Sequence, residues 1–99
     1  AQLEKVASAI ADLERVIPPE INWVMRVDGH TDKRPIVGRT NWELSASRAI
    51  AVVQFLISKG VSPQHLVAAG FGEFQPIDTA ENEDAYRRNR RIELKLTER

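Results

Sequence analysis

The sequence predicts a two-layer α/β (α+β) sandwich, in which helices pack on one face of a small mixed sheet. Helical and strand patterns alternate in the order helix, strand, helix, strand, short helix, strand. The 99 residues suit a single domain spanning 1–99, and a hydrophobic share of 42% allows a modest core. The chain starts without methionine, already in a helical pattern, so we expect a fragment of a longer protein.

The first helix is predicted from apolar side chains at helical spacing, and the prolines at 18 and 19 end it. These apolar residues are Leu3, Val6, Ile10, Leu13 and Ile17. A strand is predicted over residues 21–28, and its alternation separates two faces. One face carries Trp23, Met25 and Val27, and the other carries Val24, Arg26 and Asp28. Gly29 is expected to break the strand and to carry His30 into a loop.

The second helix has the clearest start and stop signals in the chain. Thr40 and Glu43 form the pattern of a capping box, and Gly60 is expected to end the helix. Its predicted buried stripe consists of Trp42, Ala46, Ala49, Val53, Leu56 and Ile57. A line formed by Asn41, Ser45 and Arg48 borders that stripe. Arg48 is therefore expected at the edge of the core, where a guanidinium needs a partner.

The last third of the chain predicts a strand over 66–69, a short helix over 79–89 and a strand over 91–97. In the final strand the alternation places three apolar side chains toward the core and the charged ones toward solvent. The inward side chains are Ile92, Leu94 and Leu96.

Composition excludes several functions. Fourteen basic and 14 acidic residues give no net charge, which argues against a general nucleic-acid binder. The absence of cysteine and the presence of only two histidines, His30 and His65, argue against a metal site, and no cofactor is expected. Glu73 and Asp78 could act as paired carboxylates for glycoside cleavage, although solvated loop acids are the simpler interpretation. No apolar run approaches the roughly 20 residues that span a membrane.

Opposite charges close to one loop mark the main candidate site. Asp32 follows the first strand and Arg48 lies on the second helix. The two could form an internal salt bridge, or they could hold the two charges of a zwitterion such as an amino-acid head group. The basic run 87–91 follows several acids that would neutralise it, but Arg90 is kept as a candidate ligand contact.

Several motifs occur together and in a consistent order. They are VDGHTD at 27–32, the proline and isoleucine at 35–36, NWELSASRA at 41–49, GFGEFQPI at 70–77 and NRRIELKL at 89–96. On these motifs the chain resembles the OmpA-like peptidoglycan-binding domain, and most closely its MotB-like branch. Jointly the motifs are highly specific, and they cover most of the chain from Val24 onward.

The resemblance implies a periplasmic domain that holds the cell wall without cleaving it. Asp32 and Arg48 occupy the positions that clasp diaminopimelate of the stem peptide, and further motif positions line or order the pocket. These further positions are Thr31, Asn41, Leu44 and Arg90. The parent protein would be tethered to the inner or outer membrane by segments outside this chain, either as a flagellar stator of the MotB type or as a general envelope anchor.

One departure from the family pattern concerns the sheet. Members normally have a strand before the first helix, which this chain lacks. An unpaired sheet edge invites pairing with another chain, so a homodimer is one expectation. One remaining alternative is a cell-wall hydrolase with Glu73 or Asp32 as acid or base. The other is a structural dimerisation module, in which Asp32 and Arg48 would pair only with each other.

Overall fold

The computed structural model describes residues 2–99, which contain three α-helices, a short 3-10 turn and three strands. In chain order they are α1 (Gln2–Val16), β1 (Trp23–His30), α2 (Asn41–Ser58), the 3-10 turn (Pro63–His65), β2 (Leu66–Gly70), α3 (Glu83–Asn89) and β3 (Arg91–Glu98). This order agrees with the predicted one. Within residues 2–99 no helix combines the length and the apolarity that crossing a membrane requires.

The three strands form one mixed sheet with β1 in the centre. β1 runs parallel to β2 and antiparallel to β3, so the strand order is β2-β1-β3. The parallel pair is possible because α2 carries the chain back to the starting end of the sheet. The predicted α/β sandwich with a mixed sheet is thus confirmed.

The hydrophobic core lies between the helices and one face of the sheet. Its β1 side chains are Trp23, Met25 and Val27, the face that the alternation predicted. The helices and the following turn contribute Ala7, Ile10, Ala49, Leu56 and Val61. The core therefore sits under β1 and holds rigid the strand that ends at the candidate site.

The prediction that Gly29 breaks the first strand is wrong, and so are the predicted limits 21–28. The strand begins at Trp23 and continues to His30, with Gly29 paired to Ile92 of β3. A Cβ atom built on Gly29 would lie 2.1 Å from the backbone carbonyl oxygen of Ser45. This glycine therefore permits the close approach of α2 to the sheet and does not mark a turn.

The predicted caps of α2 are confirmed, but its predicted buried stripe is partly wrong. The Thr40 side chain accepts from the Glu43 amide, and the Glu43 carboxylate accepts from the Thr40 amide at 2.8 Å. Trp42 and Ile57 are 52% and 38% exposed, whereas Ser45 is fully buried. Because the helix comes within contact of glycines in both β1 and β2, only small side chains fit beneath its first turns.

The final elements differ from the prediction mainly at their limits. α3 begins at Glu83 because the Asn82 side chain caps it, and β3 extends to Glu98. Leu94 and Leu96 remain 36% and 51% exposed, since α2 lies over β1 and β2 and leaves the β3 edge uncovered. Homodimerisation through an unpaired sheet edge stays a prediction.

His30 is buried at the end of β1 on the face opposite the core. Its ring stacks on Phe71 with centroids 5.0 Å apart, and it is 4% exposed. Among residues 2–99 neither ring nitrogen has a hydrogen-bond partner. The charged side chains around it are Asp28, Arg91, Glu93 and Lys95. Burial, followed by repulsion from Arg91, lowers the pKa of His30 below its ordinary value.

Candidate functional site

A single cavity of about 350 Å³ opens between the loop after β1, the start of α2 and the start of β3. Its walls contain all six predicted site residues, together with three neighbours in the loop. The predicted residues are Thr31, Asp32, Asn41, Leu44, Arg48 and Arg90, and the neighbours are Arg34, Pro35 and Ile36. Residues from separate segments of the chain thus meet at one place.

The Asp32 carboxylate is held by two arginines. Oδ1 accepts from the Arg34 amide at 2.9 Å and from Arg34 Nε at 3.2 Å. Oδ2 accepts from Arg34 Nη2 at 2.9 Å and from Arg90 Nη1 at 2.8 Å. Four hydrogen bonds thus reach the two oxygens of a carboxylate that is only 7% exposed.

The hydrogen bonds from Arg34 and Arg90, which we call the clasp, keep the Asp32 carboxyl ionised. Hydrogen bonds from the Arg34 side chain, joined by those from Arg90, hold the pKa of Asp32 far below its ordinary value despite burial. The Arg34 side chain is itself 45% exposed and has other contacts. Its Nη1 lies 2.8 Å from Glu83 Oε2, and its guanidinium lies 4.4 Å from the centre of the Tyr86 ring. Arg34 therefore has an alternative carboxylate within reach.

Arg48 differs from its predicted environment. The expectation of a half-buried guanidinium that needs a partner is wrong, because Arg48 is exposed and has no ion pair among residues 2–99. The alternative in which Asp32 and Arg48 form an internal salt bridge is also wrong, since the partners of Asp32 are Arg34 and Arg90. The reason is that the buried stripe of α2 runs through Ser45 and Ala49, which leaves Arg48 at the mouth of the cavity.

Hydrogen bonds to backbone groups fix the shape of the loop. Thr31 donates its hydroxyl to the Asp32 carbonyl at 2.9 Å and its amide to the Gly72 carbonyl at 2.9 Å. The Asn41 side-chain amide lies within 3.3 Å of the Asp32 carbonyl and 3.2 Å of the Arg34 carbonyl. Both side chains are buried, so they act mainly on the loop that presents Asp32.

The charges in the cavity are unequal. Three guanidinium groups, those of Arg34, Arg48 and Arg90, face one carboxylate, that of Asp32. Leu44 and Ile36 add apolar wall. The excess of cations favours an anionic group, and the exposed Arg48 can donate to a carboxylate without first losing a partner.

Each of the remaining arginines of the basic run forms an ion pair, as local neutralisation predicted. Most of the partners, however, are not the acids that directly precede the run. Arg87 pairs with Asp84 at 2.5 Å, and Arg88 pairs with Asp78. Arg91 pairs with Glu93 at 2.5 Å. These ion pairs support the interpretation of the run as locally neutralised.

Glu73 and Asp78 line a separate, smaller cavity of about 190 Å³. The Arg88 side chain lowers the pKa of Asp78, which keeps this carboxyl ionised, whereas a proton donor for glycoside cleavage needs a raised pKa. Glu73 Oε1 accepts from the Asn41 amide at 3.1 Å and so helps to hold the loop. Within residues 2–99 no group of three or more His, Cys, Asp or Glu side chains could hold a metal ion.

Arg34 and Gly72 are the contributors that the sequence reasoning missed. Arg34 stands two positions after an aspartate, a spacing at which the Asp side chain often accepts from the backbone amide, and this pattern could have found it. Gly72 has a φ of +65° and carries the carbonyl that fixes Thr31. No local pattern links it to a site some 40 residues earlier in the chain.

Comparison with known proteins gives consistent matches. The family model described as OmpA family matches residues 1–90. Among curated proteins, the uncharacterised protein YtxE of Bacillus subtilis is 36% identical over 95 residues, which are 92% of this chain and 38% of that protein. The peptidoglycan-associated lipoprotein of Pseudomonas aeruginosa is 39% identical over 69 residues, covering 70% and 40% of the two chains. The chain thus spans about two fifths of these relatives.

Solved structures give the same picture. The C-terminal domain of Helicobacter pylori MotB superposes with a TM-score of 0.83 at 28% identity, over 97% of this chain and 70% of that one. The peptidoglycan-associated lipoprotein of Burkholderia pseudomallei gives a TM-score of 0.79 at 25% identity, over 96% and 74%. The similarity therefore extends over nearly the whole chain described above.

Proposed function

This chain belongs to the OmpA family, and from that premise we propose that it binds peptidoglycan non-covalently, without cleaving it. The recognised group is the diaminopimelate residue of the stem peptide. One observation carries the proposal: the buried carboxylate of Asp32 and the unpaired guanidinium of Arg48 line the same cavity. The names of two relatives, both peptidoglycan-associated lipoproteins, support the polymer as ligand.

The chemistry of diaminopimelate fits these two charges. Its side chain ends in an ammonium and a carboxylate on one carbon, whereas a lysine side chain ends in an ammonium alone. Arg48 receives the carboxylate, helped by Arg90, and Asp32 receives the ammonium. Leu44 and Ile36 pack on the methylene groups between the head group and the peptide.

Asp32 reaches its ligand only after an exchange of partners. In the free protein the Arg34 side chain donates to both carboxylate oxygens, so an incoming ammonium must displace it. Glu83 already contacts Arg34 at 2.8 Å and can keep its charge neutralised after the exchange. The Arg34 amide and Arg90 continue to hold Asp32 in place.

The cellular role follows from this binding. The parent protein is tethered to a membrane by segments outside this chain, and this domain fixes it to the wall from the periplasm. A flagellar stator of the MotB type is one such parent, because Motility protein B of Bacillus subtilis is 31% identical over 95% of this chain. A general envelope anchor of the lipoprotein kind is the other.

Calorimetric titration with a diaminopimelate-containing muropeptide tests the proposal. The wild-type protein should bind saturably and leave the ligand unchanged, and the lysine-containing analogue should bind much more weakly. Arg48→Ala should weaken binding about 10- to 100-fold, since a charge-assisted hydrogen bond contributes about 1.5–3 kcal/mol. Its stability should change by no more than about 0.5 kcal/mol, because the side chain is exposed and unpaired.

Arg87→Ala serves as the matched control, because Arg87 is an exposed arginine outside the cavity. It should bind as the wild type does. Equal affinity for the diaminopimelate and lysine ligands, or full affinity in the Arg48→Ala variant, would overturn the proposed recognition. Turnover of the muropeptide would instead support the hydrolase alternative.

A further inference from the structure

Two large aromatic side chains lie exposed beside the cavity. Trp42, in the first turn of α2, is 52% exposed, and Phe74, in the loop after β2, is 58% exposed. Their rings stack with centroids 5.2 Å apart and an angle of 29° between the planes. Adjacent exposed aromatic rings on a small protein are typical of a contact surface.

The position of this aromatic pair is fixed by the fold. Gly72 lies against both rings: a Cβ atom there would be 3.3 Å from Trp42 and 3.4 Å from Phe74. The Gly72 amide donates to the buried Ser45 hydroxyl at 2.9 Å, and its carbonyl accepts from the Thr31 amide at 2.9 Å. The same glycine thus connects the aromatic pair to α2 and to the loop of the candidate site.

The aromatic pair also borders its own cavity, of about 290 Å³, which continues into the candidate site. The two cavities share three wall residues, Pro35, Ile36 and Asn41. Polar groups stand around the rings. They belong to Arg39, Thr40, Asn41 and Glu73.

Apolar ring faces edged by hydrogen-bonding groups are suited to a sugar. The C–H face of a pyranose packs on an aromatic ring, while its hydroxyl and N-acetyl groups need donors and acceptors at the edge. Glu73 Oε1 accepts from the Asn41 amide, but a purely apolar occupant would remove water from its second oxygen without offering a donor. The mixed surface therefore favours a saccharide over an apolar segment.

We propose that the Trp42–Phe74 pair is a subsite for an N-acetylated hexosamine of the glycan strand. The inference rests on the proposed function and names a second part of the same ligand. In peptidoglycan two amino acids separate the diaminopimelate from the sugar, so the connection spans about 10 Å when extended. Two cavities that share walls lie within that reach. The domain thus contacts both the stem peptide and the glycan strand to which that peptide is attached.

The test compares two ligands that share one diaminopimelate-containing peptide, one with its disaccharide and one without. Wild-type protein should bind the disaccharide form about 3- to 10-fold more tightly, the range expected for a single stacking contact. In Phe74→Ala and Trp42→Ala the ratio of the two affinities should fall toward one. Ile50→Ala, which removes an exposed apolar side chain elsewhere on α2, should keep the wild-type ratio.

A peptide-free probe separates this inference from the head-group proposal. An N-acetylglucosamine oligomer should shift the NMR signal of the Trp42 indole N–H, while that of the buried Trp23 should stay unchanged. Loss of diaminopimelate recognition with a retained Trp42 shift would overturn only the head-group proposal. Equal affinity of wild-type protein for both peptide ligands, or an unchanged ratio in both aromatic variants, would overturn the saccharide subsite.

Discussion

Replacing Arg34 by methionine tests whether this side chain competes with the ligand for Asp32. The substitution removes the guanidinium, and with it the contacts to Glu83 and to the Tyr86 ring, but keeps an unbranched aliphatic side chain. Two side-chain hydrogen bonds to Asp32, at 3.2 and 2.9 Å, are lost, while the backbone amide and Arg90 remain. At 45% exposure of Arg34, such a pair contributes at most about 1 kcal/mol.

If the ligand ammonium must first break this pair, the variant is spared that cost. Arg34→Met should then bind a diaminopimelate-containing muropeptide up to about 5-fold more tightly, and its free energy of unfolding should fall by up to about 1 kcal/mol. Calorimetric titration and chemical denaturation measure the two changes. An NMR titration should also show a raised pKa for Asp32, because the Arg34 side chain is the main cause of its lowering.

Lys33→Met is the matched control, since Lys33 is a cation of the same loop that pairs with Glu81 and does not contact Asp32. It should change neither the affinity nor the pKa of Asp32. Weaker binding by Arg34→Met would refute the displacement reasoning, because it would mean that the guanidinium contacts the ligand. An unchanged pKa of Asp32 would refute the clasp itself.

Two further predictions concern the end of β1. Gly29→Ala should lower the free energy of unfolding by about 3 kcal/mol, because the added Cβ meets the Ser45 carbonyl at 2.1 Å. Gly38→Ala, at φ +86° with open space around it, should cost only about 1 kcal/mol, and an equal cost at both positions would contradict the packing argument. The lowered pKa of His30 means that the unfolded chain takes up its proton first, so wild-type stability should fall faster than that of His30→Leu as pH drops below about 6.5. Denaturation of both proteins at several pH values between 7.5 and 5 measures this effect. A constant difference between their free energies of unfolding over that range would exclude this contribution of His30.

Local signals predicted the parts of the fold that local interactions determine. The capping box of α2 needs only Thr40 and Glu43, which are three residues apart, and it forms as predicted. Gly29 shows the limit of such reasoning. A glycine marks a turn in one context and a close approach in another, and only the position of α2 decides between them.

The candidate site likewise has features that the sequence predicted and features that depend on the folded structure. The residues around its cavity could be named from motifs, but the partners of the charged side chains could not. Long arginine side chains reach acids far along the chain, as Arg90 reaches Asp32, 58 positions earlier. The choice among several arginines depends on the path of the loop, which hydrogen bonds from Asn41 determine. The exposure of Arg48 depends likewise on how α2 is rotated over the sheet.

The position of Asp32 immediately beyond β1 has a mechanical consequence. β1 is the central strand, paired with β3 over all of Trp23–His30 and with β2 over Met25–Gly29. A tension applied through a ligand at Asp32 and directed along β1 would load both rows of inter-strand hydrogen bonds in shear, so that many bonds resist together. Attachment to an edge strand would set only one row of bonds against the same tension. The site is therefore mounted on the strand of this sheet best suited to bear a sustained pull.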